Sequence, residues 1–438
     1  MKELQDLENK LINNQYIEVD GNISYFLEVD LDYPPHLHKQ HEQWPMAPEN
    51  YNVTYEDLSF FSRIQLSCCD SKKFKKASFS ETKLIPHFHD RKHYSLHIKN
   101  LLYYLQKGLI LKKIHFAIKF YQKAWLKKYI THVANLRKIV KENNQDFFVL
   151  IMKFIANNTF GKFAQNPEKY IRIEIARTAE QLRTLSSSPN FLRHKILSEK
   201  LVLVEMVPDK FEYKFQYAVA STILEFSKLY MYKFFYDTLI PHFHPDVPNL
   251  IMTDTDSVVF SIECSNFISK YKALPLMDFS NFPKDHCLYN NKYKMKLGYF
   301  KDEFPESHFI TEFVGLRAKL YAYRSLSPDG NFVDFIKAKG YNSQAARRNL
   351  TFQRFITCMK TFQNLKLSYL TFRGYDHTLF TVEQFKNVLS NFDSKLYVHS
   401  CNIHTSFYGS ALIKKNASAC YLCTAEAIKF PFRNDNFV

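Results

Sequence analysis

Two aspartates between apolar runs are the residues of this chain best suited to hold a metal ion. The run 250–253, apolar at its first three residues, leads into Asp254-Thr255-Asp256, and a second apolar run, 258–260, follows. Residues two apart in an extended chain point the same way, so Asp254 and Asp256 are predicted to share a face, although a turn between the strands would change this relation. Carboxylates beside apolar strands require cations, and Mg²⁺ takes one or two carboxylates together with substrate phosphates. The alternative is a surface hairpin with a polar turn.

A helix earlier in the chain carries groups suited to a nucleotide. The residues predicted to lie on one helical face, at offsets 0, 4, 7 and 8, are Lys153, Asn157, Phe160 and Gly161. An ammonium and an amide suit a triphosphate, the ring suits a base or sugar, and the glycine permits close approach of a neighbouring group. The residues that fall mostly on the opposite side, which the helix is predicted to bury, are Phe147, Ile151, Phe154 and Ile155. The alternative is an ordinary amphipathic helix with a solvated lysine.

The elements around these groups predict an α+β fold without the regular alternation of a doubly wound sheet. The sequence pattern indicates helices over 93–145, 146–166 and 217–238, a strand pair over 249–262, and further strands within 167–215 and 296–325. Helix and strand are mixed over the last 90 or so residues.

Composition favours a polyanionic partner. The chain of 438 residues has a formal net charge of +16 and 46% hydrophobic residues, so it has a large core and a basic surface. Nucleic acid is the first candidate partner and an anionic membrane surface the second. The alternative is a basic surface without such a partner.

The cysteines and histidines do not form a recognisable framework. Cys420 and Cys423 form a CxxC, and the sequence shows no second pair with convincing zinc spacing, so no zinc site is expected. The histidines near 36–41 and 87–97 are interpreted as polar or satisfied partly buried residues. The first residues are polar and no apolar run reaches the length of a membrane span, so we expect no membrane association and a reducing compartment, nucleus or cytoplasm.

Three motifs, in order, resemble those of family B DNA polymerases. Lys153-x-x-x-Asn157-Asn158-x-Phe160-Gly161 resembles KxxxNSxYG, with Asn for Ser and Phe for Tyr. Thr253-Asp254-Thr255-Asp256-Ser257 resembles YxDTDS, and Lys319-Leu320-Tyr321 resembles KxY. The longer stretches that resemble the protein-primed, Polinton-like branch of viral and organellar enzymes are 28–34, 44–49, 223–228 with 231–232, and 298–303. The resemblance covers nearly the whole chain.

The resemblance implies a role for each matched residue. Asp256 would be the main ligand of two Mg²⁺ ions, which Mn²⁺ could replace, and Asp254 would support it. The residues that would hold the incoming dNTP are Lys153, Asn157, Asn158, Phe160 and Gly161. Those that would hold the primer end of a DNA primer-template are Lys319, Tyr321 and Arg317. A terminal protein would serve as primer in this branch.

The resemblance also implies a right-hand architecture of palm, fingers and thumb. Its parts would be a palm or insertion remnant (1–60), a Lys-rich helical insertion (61–145), the fingers helix (146–166), an insertion (167–215), the palm (216–345) and the thumb (346–438).

One family motif has no convincing copy here. DxxSLYP supplies the other bridging carboxylate in the family, and Asp30-Leu31-Asp32-Tyr33-Pro34 is the nearest string, with the wrong spacing. The expectation is therefore an N-terminally incomplete palm without the exonuclease domain, and a weak or inactive polymerase. The alternatives are a catalytically inactive DNA-binding remnant and, ranked lower, an unrelated metal-dependent nuclease that uses Asp254 and Asp256.

Overall fold

The computed structural model describes residues 2–13, 22–67, 79–211, 217–303, 309–327, 330–361, 363–375, 378–399, 401, 403–411 and 413. Helices and strands are mixed along the chain, which confirms the α+β prediction. The chain divides into two compact units. The first contains residues 1–121 and 230–438, and the second contains residues 122–229.

The first part of the larger unit is built on an antiparallel sheet in the order β4-β1-β5, beside a β2–β3 pair. Its elements are α1 (Lys2–Ile12), β1 (Ile23–Asp32), β2 (Glu49–Thr54), α2 (Phe60–Ser67), β3 (Ser80–Ile85), β4 (Arg91–His97), α3 (Ile98–Gln106) and β5 (Ile110–Tyr121).

The helix predicted over 93–145 is wrong across two segments. Residues 93–97 belong to β4, and 110–121 form β5, which pairs with β1 from Ile23↔Tyr121 to Asp32↔Ile110. The stretch is rich in β-branched and aromatic residues, and pairing with β1 overrides the chance helical spacing of its apolar residues.

The smaller unit combines a helical hairpin with a three-stranded antiparallel sheet in the order β6-β8-β7. Its elements are α4 (Lys127–Glu142), α5 (Asp146–Phe163), β6 (Arg172–Ala176), α6 (Ala179–Ser186), β7 (Phe191–Ser198), β8 (Leu201–Met206) and the beginning of α7 (Tyr217–Lys233). Leu182 and Leu185 of α6 pack on the buried face formed by Ala176, Val204 and Met206.

The rest of the larger unit holds the two β-hairpins that carry Asp254, Asp256 and Lys319, each supported by its own helices. A π-helical turn at Phe234–Leu239 precedes the remaining elements. These are α8 (Ile240–Phe243), β9 (Asn249–Asp254), β10 (Ser257–Ser261), α9 (Phe267–Ala273), β11 (Met277–Asp278), β12 (Phe300–Lys301), β13 (Phe309–Arg317), β14 (Leu320–Leu326), β15 (Phe332–Ala338), α10 (Ser343–Asn349), α11 (Phe352–Thr361), β16 (Leu365–Tyr375), β17 (Thr378–Leu389), β18 (Tyr397–Val398) and β19 (Thr405–Ser406).

Apolar burial fixes both hairpins. Leu250, Val258 and Phe260 of β9–β10 pack against a cluster that contains Phe235 and Phe243. In the sheet β13-β14-β15, the face that includes Leu320 and Ala322 packs on α11, whose Phe355 is completely buried. Burial of large apolar side chains of this kind is the main source of folding free energy, so both hairpins are anchored to packed clusters. No helix in the described parts of the chain combines the length and apolar character that a membrane crossing demands.

Candidate functional site

The predicted carboxylates lie at the tip of the β9–β10 hairpin. Asp254 ends β9 and pairs with Ser257, so Thr255 and Asp256 form a two-residue turn. Thr255 has a φ of 64°, and the Asp256 N–H donates to the Asp254 carbonyl at 2.7 Å. The strand pair predicted over 249–262 is confirmed. Asp256 is part of the turn, however, so the two-residue period of a strand does not govern how the two side chains are related.

Lys319 lies at the tip of the β13–β14 hairpin. Arg317 pairs with Leu320, which leaves Ala318 and Lys319 as the turn. Lys319 has a φ of 61°, and its carbonyl accepts a hydrogen bond from the Lys339 N–H at 3.1 Å. A left-handed conformation is uncommon for residues other than glycine, so both hairpin tips have backbones held by the surrounding structure.

The two tips meet through an ion pair. The Nζ of Lys319 lies 2.7 Å from Oδ1 of Asp254. The hydrogen bond from Lys319 is the main cause that lowers the pKa of Asp254, and Lys337 adds a smaller lowering. The same bond raises the pKa of Lys319, with a smaller contribution from Asp256. Both groups are therefore held in their charged forms, and Lys319 lies within the field of both carboxylates.

An aromatic surface adjoins Lys319 on the sheet β13-β14-β15. Rings stack from Phe313 to Tyr321 with centroids 5.7 Å apart, from Tyr321 to Tyr323 at 6.5 Å, and from Tyr323 to Phe335 at 4.9 Å. Lys337 pairs directly with Tyr321, so the two side chains share this face. Burial raises the pKa of Tyr323 to about 12, so its hydroxyl stays protonated at neutral pH. We call these four rings and Lys337 the aromatic face.

The sequence analysis does not identify Lys337. It assigns Arg317 to the primer end and does not relate it to Asp393. No motif marks Lys337, whose place depends on strand register alone. Arg317 is exposed and its charge acts on Asp393. Burial raises the pKa of Asp393, against a smaller lowering by neighbouring cations that include Arg317.

Asp30 and Asp32, from the string that most resembles the absent DxxSLYP motif, lie on β1 and form ion pairs with residues of β5. Oδ1 of Asp30 is 2.9 Å from Nε2 of His115, and Oδ2 of Asp32 is 2.9 Å from Nζ of Lys112. Among the described residues, no three His, Cys, Asp or Glu side chains come together as a metal-binding group. Carboxylates are ligands that Mg²⁺ takes beside substrate phosphates, so the residue types of Asp254 and Asp256 are compatible with that ion.

The predicted nucleotide-binding residues lie together on α5, within the smaller unit. Lys153, Asn157, Asn158 and Gly161 are exposed and Phe160 is half-buried. A Cβ added at Gly161 would meet nothing within 4 Å, so the described structure shows no close approach that requires a glycine.

The opposite face of α5 is not buried as predicted. Phe147 and Phe154 are 68% and 53% exposed, and no residue of α5 is buried among those described. Within its own unit, α5 packs mainly against α4, and one neighbouring helix covers only part of a helix surface.

Comparisons with protein-family models, with curated proteins and with solved structures found no match for this chain.

Proposed function

We propose that this chain is a DNA-directed DNA polymerase of the family B type, which transfers a nucleotide from a dNTP to a primer 3′-hydroxyl. The observation that carries the proposal is the 2.7 Å ion pair between Lys319 and Asp254. It unites two of the three motifs on which the resemblance rests, although they are far apart in sequence.

The carboxylates of Asp254 and Asp256 are the proposed Mg²⁺ ligands. When bound, Mg²⁺ would activate the attacking oxygen and stabilise the leaving phosphate. The ion pair with Lys319 lowers the pKa of Asp254, so this carboxyl stays ionised to a lower pH than an ordinary aspartate. On this proposal Lys319 and Tyr321 hold the primer end, and Arg317 contacts the backbone nearby.

The aromatic face suits the primer-template next to the carboxylates. Rings offer contact area to sugars and bases without sequence preference, and Lys337 offers a phosphate contact. The residues proposed to hold the dNTP lie on α5 and are Lys153, Asn157, Asn158, Phe160 and Gly161. A net charge of +16 favours DNA as the polyanionic partner.

A primer-extension assay tests the proposal. The purified chain, a primer-template, dNTPs and Mg²⁺ should give extended primer, and Asp256→Asn should abolish extension. Asp285→Asn, which removes an exposed carboxylate elsewhere in the same unit, is the matched control and should retain activity. Extension that survives Asp256→Asn would contradict the assignment of the site.

A catalytically inactive DNA-binding remnant is the second candidate. The observation that favours it is that no third carboxylate joins Asp254 and Asp256 among the described residues. The remnant predicts salt-dependent DNA binding by the wild-type chain, with no incorporation in Mg²⁺ or Mn²⁺ and no effect of Asp256→Asn on affinity. Extension by the wild-type chain would exclude it.

A further inference from the structure

Three exposed lysines alternate along the segment that joins β11 to β12. They are Lys292, Lys294 and Lys296, and they lie within residues 291–299, a stretch whose sequence contains no acidic residue. We call this stretch the lysine loop. Among the described residues, none of the three lysines forms an ion pair with a carboxylate, whereas Lys270 of the same unit pairs with an aspartate. The lysine loop therefore presents positive charge that the described part of its unit does not neutralise.

The backbone of the lysine loop is anchored to a buried carboxylate. Asp278, at the end of β11, is buried, and its Oδ2 accepts a hydrogen bond from the Met295 N–H at 3.1 Å. Met295 has a φ of 56°, and the Lys296 N–H that follows donates to the Tyr293 carbonyl at 3.0 Å. A left-handed conformation of this kind persists only where the surrounding structure determines it. The loop thus presents its lysines from a defined backbone.

Two stacked tyrosines support the outer two lysines of the loop. The rings of Tyr293 and Tyr299 have centroids 4.4 Å apart and planes 25° apart. Nζ of Lys296 lies 4.7 Å from the Tyr299 centroid and 5.1 Å from the Tyr293 centroid, and Nζ of Lys292 lies 5.0 Å from the latter. The ring faces attract the ammonium groups without carrying a compensating charge. Since both groups lie about 5 Å from the same centroid, they are within about 10 Å of each other.

This spacing suits a row of phosphates. Successive phosphates of one nucleic-acid strand advance by about 3.4 Å along the helix axis, so a span of about 10 Å covers about three of them. A lysine is a point charge that binds phosphate without reading the bases. An anionic membrane surface is the less suitable polyanion, because it favours basic segments that also insert apolar side chains. In the lysine loop, all of which the structure describes, Leu297 is the only exposed large apolar residue.

The lysine loop and the carboxylate hairpin are supported by one apolar cluster. Leu288 and Phe300, which precede and follow the loop, belong to this cluster. Leu250 and Val258 of the β9–β10 hairpin pack against the same cluster. Nucleic acid bound by the loop would therefore be held by the packed body that also carries Asp254.

We propose that the lysine loop binds the phosphate backbone of DNA, independently of sequence, through Lys292, Lys294 and Lys296. This contact is additional to the aromatic face, with which the loop shares no residue. The inference rests on the proposed function for the identity of the polyanion. It does not rest on catalysis, since an inactive DNA-binding remnant would retain the same loop.

Two triple variants that remove the same charge test the proposal. The loop variant combines Lys292→Ala, Lys294→Ala and Lys296→Ala. The control variant removes three exposed lysines elsewhere in the unit, through Lys39→Ala, Lys272→Ala and Lys360→Ala. Fluorescence anisotropy over a salt series measures their binding to a primer-template. At about 0.1 M salt the loop variant should bind at least about tenfold more weakly, and its slope of log affinity against log salt should be smaller by about 2–3, because three phosphate contacts are lost. The control variant should retain wild-type affinity and slope.

Primer extension separates failure of this inference from failure of the proposed function. If the wild-type chain extends a primer while the loop and control variants bind DNA equally well, the loop assignment alone is wrong. If the wild-type chain binds no DNA, both are wrong. Vesicles of phosphatidylserine and phosphatidylcholine test the other polyanion. A loop variant that loses vesicle binding and keeps DNA binding would overturn the proposal in favour of a membrane surface.

Lysine acetylation provides a measurement that requires no variant. The wild-type chain is acetylated briefly with and without bound primer-template, and the modified lysines are identified by peptide mass spectrometry. DNA should protect Lys292, Lys294 and Lys296 and should leave the labelling of Lys272 unchanged. Equal labelling of the loop in free and DNA-bound chain would overturn the proposal even if the loop variant failed to fold.

Discussion

Lys319 and Asp254 join the tips of two β-hairpins through a contact of 2.7 Å between Nζ and Oδ1. Each turn contains a non-glycine residue at positive φ, Thr255 at 64° and Lys319 at 61°. Such conformations persist only where the surrounding structure determines them, and they are frequent at functional sites. The Lys319–Asp254 ion pair therefore connects two turns whose backbones are already fixed. It determines the charge state and position of the two side chains more than it stabilises the fold.

Removal of the lysine charge should change the titration of Asp254 far more than the stability of the chain. In Lys319→Met, the pKa of Asp254 should rise toward its ordinary value, because the hydrogen bond that lowers it is lost. The free energy of unfolding at pH 7 should fall by less than about 1 kcal/mol, since the pair is partly exposed to solvent. NMR titration of the Asp254 carboxyl measures the first effect and urea unfolding the second.

The sign of the pH dependence follows from the lowered pKa. The contribution of the pair is present above the ordinary value of 3.8 and is lost as pH falls through the folded value. Lys284→Met, which removes an exposed lysine elsewhere, should leave the Asp254 titration unchanged. An Asp254 pKa that stays low in Lys319→Met would show that another group holds the carboxylate ionised.

The aromatic face should contribute to DNA affinity in two separable ways. Lys337→Ala should weaken binding and reduce the slope of log affinity against log salt by about 1, because one phosphate contact is lost. Tyr323→Ala should weaken binding by about 1–3 kcal/mol with the salt slope unchanged, since stacking is not an ionic contact. Fluorescence anisotropy over a salt series measures both, with Lys284→Ala as the control. If neither variant differs from that control, the face does not bind DNA.

The carboxylate hairpin could be predicted from sequence because its signals are local. Two apolar runs around Asp254-Thr255-Asp256 give strand, turn and strand, and the structure has these elements at 249–254 and 257–261. The contact with Lys319 depends on how two hairpins pack, and no local pattern carries that information.

Two other features could not be predicted from the sequence, because they also depend on contacts between distant segments. The apolar residues of β5 also fit helical spacing, so the sequence predicts a helix there, whereas pairing with β1 decides the conformation. The place of Lys337 beside Tyr321 follows from strand register, which depends on the whole sheet.

Buried histidines should make the larger unit sensitive to acid. Burial lowers the pKa of His41 and of His97 to about 4. Both are neutral in the folded chain, and protonation favours the unfolded chain, whose histidines titrate near 6.5. Stability is therefore full above pH 6.5 and is lost as pH falls toward 4, by up to about 3 kcal/mol for each histidine.

The substitution His97→Asn isolates the contribution of one of these two histidines to the loss of stability in acid. The Asn side chain keeps an acceptor for the Lys99 N–H, which His97 now caps at the start of α3. Urea unfolding between pH 7 and pH 4 should show a shallower loss of stability than the wild-type chain. His36→Asn, at an exposed histidine, should retain the wild-type slope. Equal slopes in all three proteins would mean that His97 does not drive the acid transition.

The cysteines should differ in reactivity with thiol reagents. Cys358 is buried on α11, and burial raises its pKa to about 11, so at neutral pH it is a protonated and inaccessible thiol. Cys287 is exposed. Brief alkylation of the native chain followed by peptide mass spectrometry should label Cys287 and spare Cys358, and denaturation should make both reactive. Early labelling of Cys358 in native conditions would contradict the packing of α11.

Phe355 should be the side chain through which α11 supports the Lys319 turn. It is completely buried in the cluster that contains Leu320 and Ala322, the residues that follow that turn. Phe355→Ala should lower the free energy of unfolding by about 3–5 kcal/mol, because it removes a large buried ring and leaves a cavity. Phe372→Ala, at a ring that is 77% exposed, is the matched control and should change it by less than about 1 kcal/mol. Urea unfolding at pH 7 compares the two.

Because Phe355 supports the hairpin, its loss should also raise the Asp254 pKa in the folded chain, which the control should not do. Equal stability of the two variants would mean that the sheet β13-β14-β15 does not depend on α11, and that the Lys319 turn is held from elsewhere.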